Sequence, residues 1–154
     1  MASLPTAESN IDVLDKARRA LETDYTPSAD EEYMNSRQLD YFRDLLVEWK
    51  RSILSASRGT LQQLQDGPMR EPDLNDRASS ETDWGIELRT RDRQRKLITK
   101  IDSALRRIDE GEYGYCEVTG EPIGLGRLIA RPIATMTVEA QEQHERREKV
   151  SRDD

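Results

Sequence analysis

The sequence predicts a mainly α protein. Its plan is a long antiparallel coiled-coil hairpin with a small zinc-finger-like globular module, metal ligands missing, and a C-terminal helix. Three observations lead there. Apolar residues recur at alternating three- and four-residue steps over two long stretches. A segment hostile to helix, "DGPMREPDLND", separates those stretches. Composition is the third: 36% of the residues are charged and 34% hydrophobic, with a mean hydropathy of −0.89. So little apolar material suits a narrow seam between helices better than a round core.

Each element follows from its local pattern. "NIDVLDKARRALE" carries Ile11, Leu14, Ala17 and Leu21 on one face, a short amphipathic helix with Asn10 as its cap. Pro27 breaks that pattern, and Ser28 with Glu31 has the form of a capping box that opens the next helix. Leu39, Phe42, Leu46, Trp49, Ile53, Ala56 and Thr60 then hold a heptad seam. Gly67, Pro68 and Pro72 stop it. Trp84, Leu88, Ile98, Ile101, Leu105 and Ile108 form the return seam, looser where Arg91 and Arg95 intervene. Each arm of roughly 30 residues is about 45 Å long at 1.5 Å per residue.

Helical periodicity ends at "DEGEYGYC". Glycines 111, 114, 120, 124 and 126, with Pro122 and Pro132, imply tight turns in a small hairpin-like module. "TMTVEAQEQHERREKVSRDD" restores a helix capped by Thr135 or Thr137. The expected organisation is an N-terminal helical segment and linker over 1–32, part of a globular base. The coiled coil covers 33–110 with its tip loop at 67–80, the module 111–136, and the C-terminal helix and polar tail 137–154.

Charge narrows the possible partners. The net charge of −7 disfavours general DNA binding, which draws on many Lys and Arg contacts to phosphate. One local exception is "RTRDRQRKLITK", with six basic groups against one acid. Arg89, Arg93, Lys96 and Lys100 share one face of the predicted helix there, suited to an acidic helix or a phosphate ligand. The N-terminus has no apolar signal-like region, and no apolar run approaches the ~20 residues of a spanning helix. A cytoplasmic location is expected.

Chemistry-bearing residues are few. Cys116 is the only cysteine, so an intramolecular disulfide is excluded. It sits where a C-x2-C zinc knuckle would begin, but the second position is Thr119 and a returning knuckle would use Thr137 and Ala140. Structural zinc takes four Cys or His ligands, so no zinc is expected. The apolar residues Tyr113, Tyr115, Ile123, Leu125, Leu128, Ile129, Met136 and Val138 are expected to hold the module by packing. A reactive thiol is disfavoured, because Glu117 beside it opposes a thiolate. At the tip, Asp73 and Asp76 stand beside Arg77 and Ala78, where they either start the second helix or meet a partner.

The segments "EEYMN" (31–35), "DLNDRA" (73–78), "IELRTRDRQRKLITKI" (86–101), "YGYCE" (113–117) and "RLIARP" (127–132) together resemble the DksA family of bacterial transcription factors. The likeness runs in order from about residue 30 to 145. It implies a non-enzymatic monomer that binds RNA polymerase in its secondary channel, without direct DNA or membrane binding. It would contact the rim helices and active-site region, destabilise open promoter complexes, and act with ppGpp in the stringent response. Ribosomal RNA promoters would fall and some biosynthetic promoters rise. The resemblance makes Asp73, Asp76 and Ala78 the tip that acts on polymerase. It places Leu97, Lys100, Arg131 and Glu139 at the polymerase and ppGpp interface, to which the basic face adds Arg89, Arg93 and Lys96. Two departures stand out: Gln141 replaces a residue that is often Lys, and of four zinc-binding cysteine positions only Cys116 keeps its cysteine, Thr119, Thr137 and Ala140 standing at the others, as in the cysteine-poor branch. A transcript-cleavage cofactor of the polymerase is the alternative, since such factors also carry acidic tips that help hold Mg²⁺.

Overall fold

The structure, a computed structural model, describes residues 10–66 and 74–153, with side chains over 12–58 and 82–151. Among the described residues, five helices follow in order: α1 Asn10–Ala20, α2 Ser36–Asp66, α3 Leu74–Glu110, α4 Leu125–Ala130 and α5 Val138–Asp153. No strand occurs among the described residues, only an isolated antiparallel bridge between Tyr115 and Pro122. The fold is mainly α, with two long helices joined as a coiled-coil hairpin and a small C-terminal module. The chain divides into two compact units, 1–22 with 47–100 and 23–46 with 101–154.

In the first unit, α1 buries Val13, Leu14 and Ala17, α2 buries Trp49 and Ile53, and α3 contributes Leu97. The Ser57 hydroxyl donates to Gln94 Oε1 at 2.7 Å, linking α2 to α3. The predicted seam is shorter than expected here. Trp84 and Leu88 are 37% and 44% exposed, and Ala56 is exposed as well. Trp84 and Leu88 share one side of the helix while Ile86 between them faces the opposite side, and charged residues with Gln94 fill 91–96. A continuous apolar stripe cannot form from that pattern. Thr60 lies outside the described side chains.

In the second unit, α2 buries Phe42, Leu45 and Leu46, and α3 buries Ile101, Ala104 and Ile108. Arg43 pairs with Asp109 across these helices at 2.6 Å, an exposed pair. The entry to α2 differs from the expectation. Ser28 and Glu31 make a local turn, with the Glu31 amide donating to the Ser28 carbonyl, and the helix begins only at Ser36. Asn35 is the cap: its Oδ1 accepts the Gln38 amide at 2.9 Å. Gln38, fully buried, reaches back to accept the Met34 amide at 2.8 Å and donates to the Ser28 carbonyl at 3.2 Å. A buried amide with its partners in place fixes where the helix starts.

Candidate functional site

On α3, Arg89, Arg93, Lys96 and Lys100 are exposed, as their spacing predicts. The face is partly neutralised from within. Lys96 Nζ lies 3.1 Å from Asp92 Oδ2, and Arg89 Nε donates to the Gly85 carbonyl at 3.3 Å. Among the described residues, Arg93 and Lys100 have no internal side-chain partner. Leu97, four residues after Arg93 and three before Lys100, lies on the buried flank of that face at 8% exposure, so the same stretch supplies a core contact and a cationic surface. Asp76 and Ala78 fall in the opening turns of α3, and Asp73 lies outside the described residues.

Arg131 and Glu139 belong to the second unit, Leu97 and Lys100 to the first. Arg131 follows α4 as its C-terminal cap residue, and Glu139 lies in the first turn of α5. Both side chains are exposed. Thr137 rather than Thr135 caps α5: its hydroxyl accepts the Ala140 amide at 3.2 Å. Gln141 turns along the helix and donates to Glu145 at 3.2 Å.

The module is built by turns, where α4 occupies chain expected to pair as a hairpin. The Cys116 amide donates to the Glu121 carbonyl at 2.8 Å, the Gly120 amide to the Cys116 carbonyl at 2.9 Å, and the Glu117 amide to the Thr135 carbonyl at 2.8 Å. The knuckle geometry is therefore real. Thr119 and Thr137 come to the Cys116 sulfur, and Ala140 stands one hydrogen bond further on. Burial pushes the thiol up, but hydrogen bonds from the Thr119 hydroxyl and the amides of Thr137, Thr119 and Val118 outweigh it, to about 7. Thiolate character is greater than the sequence suggests, because these donors converge only in the folded turn.

Tyr113, Ile123 and Leu128 are buried in the module as expected, whereas Val138 is 46% exposed because it opens α5 on the solvent side. Three polar side chains that sequence reasoning did not single out bind the parts together. Arg107 donates to the carbonyls of Tyr115 at 2.8 Å and Glu112 at 3.1 Å. Arg127 Nε donates to the Met136 carbonyl at 2.9 Å. The Tyr33 hydroxyl donates to the Gly114 carbonyl at 2.6 Å and accepts the Gly124 amide at 3.0 Å. Its partners lie 81 and 91 residues away in sequence, so no periodicity could show them.

Comparison with known proteins gives these features a lineage. Residues 38–108 match the family model described as DnaK suppressor protein DksA, N-terminal domain. Residues 111–146 match the prokaryotic dksA/traR C4-type zinc finger. The RNA polymerase-binding transcription factor DksA of Caulobacter vibrioides strain NA1000 is 66% identical over 132 residues, 86% of this chain and 93% of that protein. Its Escherichia coli K12 counterpart is 41% identical over 81% of this chain and 83% of that protein. The solved structure of transcription factor DksA2 from Pseudomonas aeruginosa superposes with a TM-score of 0.71, at 40% identity over 88% of this chain and 98% of that one.

The zinc-finger match corrects one expectation. Zinc belongs to the class that matches 111–146, so the reading that zinc has no place in this module is withdrawn. The four positions themselves offer one thiol, two hydroxyls and a methyl group. That set does not fit a four-thiolate centre, and no cluster of three or more His, Cys, Asp or Glu is present among the described residues. The ordered match of both family models, the high identity across most of the chain and the shared fold place this chain in the DksA family.

Proposed function

We propose that this protein regulates transcription by binding RNA polymerase through its coiled coil, inserted into the secondary channel. The observation that carries the reading is 66% identity, over 86% of the chain, to a Caulobacter protein named an RNA polymerase-binding transcription factor. The acidic net charge supports a protein partner over DNA. A coiled-coil hairpin also suits a channel, since it carries side chains far from its base on a stiff support. No described helix is long and apolar enough to cross a membrane. In this reading the protein acts in the cytoplasm as a monomer.

Within this reading, Asp73, Asp76 and Ala78 act at the tip near the polymerase active centre. They shift its mobile elements through charge and hydrogen bonds, so that open promoter complexes lose stability. Ribosomal RNA promoters, whose open complexes are short-lived, lose output, and some biosynthetic promoters gain. The protein performs no chemistry of its own. Arg89, Arg93, Lys96, Leu97 and Lys100 contribute the coiled-coil side of the contact. Arg131 and Lys100 offer cationic donors to the pyrophosphate groups of ppGpp, and Glu139 is assigned to the same function by the family resemblance. Binding of ppGpp there adds coupling free energy to polymerase binding, and the coupling is reciprocal.

Promoter-specific transcription in vitro with Asp76→Asn tests the proposal. Polymerase affinity should stay near the unsubstituted value while inhibition of a ribosomal RNA promoter is lost. Affinity and inhibition falling in proportion would overturn the assignment of the tip.

A further inference from the structure

α4 has six residues, too few to hold its own position by helix propensity. Two tyrosines bracket it. Ahead of it, Gly124 takes φ 102 and gives no side-chain cap, and the Gly124 amide donates to the Tyr33 hydroxyl at 3.0 Å. Beyond it, the Tyr113 hydroxyl donates to the Pro132 carbonyl at 2.7 Å. Neither tyrosine is free to drift. Tyr113 is 2% exposed and its ring lies 5.5 Å from that of Phe42 on α2. Tyr33 stacks edge-on against Tyr115 at 5.6 Å and spends its own proton on the Gly114 carbonyl.

Arg131 lies between those two anchors. Its amide donates to the Arg127 carbonyl at 2.7 Å, and its carbonyl accepts the Ala134 amide at 3.0 Å. Its side chain is exposed, and no described residue bonds or pairs with the guanidinium. A fixed backbone beneath a free cation is an arrangement for receiving an anion with little ordering cost.

We propose that Tyr33 and Tyr113 are positioning residues that hold α4 at both ends and thereby aim Arg131 at the polyphosphate effector. This rests on the assignment of Arg131 to ppGpp made above, which it deepens. Neither tyrosine touches the ligand in this arrangement; each acts through backbone atoms on either side of Arg131.

The test uses Tyr33→Phe, Tyr113→Phe and Arg131→Ala in two measurements. The first is amide hydrogen exchange in the full chain. Tyr33→Phe should speed exchange at Gly124, Leu128 and Arg131 and leave the α5 amides as they were. Unchanged protection at Arg131 would overturn the proposal. The second is the ppGpp concentration that gives half-maximal inhibition of a ribosomal RNA promoter by the complex with polymerase. Removing one such hydrogen bond should raise that concentration about three- to tenfold, and by more than it changes effector-free polymerase affinity. An equal change in both would show a merely structural role and overturn positioning. Arg131→Ala separates the two layers. If it shifts the ppGpp midpoint and neither tyrosine variant does, positioning fails and the effector assignment stands. If Arg131→Ala leaves the midpoint unmoved, the effector assignment fails and the proposal with it.

Discussion

The Tyr33 hydroxyl donates to the Gly114 carbonyl at 2.6 Å and joins the chain ahead of α2 to the first turn of the C-terminal module. The same carbonyl accepts the Ile123 amide at 2.8 Å. The approach is so close that Gly114 has no room for a side chain. An added Cβ would lie 2.7 Å from Met34 Cγ and 2.8 Å from Met34 Sδ, and the residue has φ 92. Met34 itself has φ 54, an unusual conformation for a residue with a side chain.

Gly114→Ala should therefore destabilise the protein by about 1–3 kcal/mol, from left-handed strain plus the contact with Met34. Urea denaturation would show it. Gly111→Ala also carries a positive φ, 75, but nothing lies within 4 Å of the added Cβ, so its cost should be the smaller of the two.

Asn35→Ala should cost about 1 kcal/mol, the usual worth of an N-cap. Ser28→Ala, at the position where the sequence suggests a cap, removes only the Asp30 amide bond at 3.2 Å in a turn and should cost less. Thermal unfolding of the two variants side by side reads the difference.

The exposed stretch of α3 separates apolar residues that pack from those that do not. Leu97→Ala empties a buried site and should cost about 2–5 kcal/mol. Leu88→Ala, at a position 44% exposed, should stay within about 0.5 kcal/mol. Equal losses in denaturant midpoint would contradict the packing described for this helix.

Glu31 gives a pH prediction. The Tyr25 hydroxyl donates to it at 2.6 Å and the Asn35 amide at 3.2 Å, and these bonds hold its carboxyl below the ordinary 4.5 against the opposing effect of desolvation. A carboxylate depressed in the folded state contributes stability above its unfolded pKa and loses it as pH falls through the folded value. Glu31→Gln should flatten the acid limb of stability below about pH 5 and change little of its slope near neutrality. Denaturation midpoints between pH 7 and 3 measure this.

Sequence by itself determined α1, α2, α3 and α5, their order and the family, while α4 formed where a hairpin-like turn was expected. Those features rest on local periodicity, on Gly and Pro breaks, and on motifs kept in order along the chain, all readable one stretch at a time. It also located the basic face of α3 and the knuckle turn around Cys116. Tertiary structure decided which of several locally acceptable options was taken. Asn35 rather than Ser28 caps α2 because Gln38 is buried there with bonds to Met34 and Ser28. Leu97 is buried while Trp84 and Leu88 are not, since a seam needs an unbroken stripe on one face. The Thr137 amide at Cys116 and the tyrosines at the ends of α4 come from distant parts of the chain. Such contacts have no period and no fixed spacing, so only the folded backbone brings them into register.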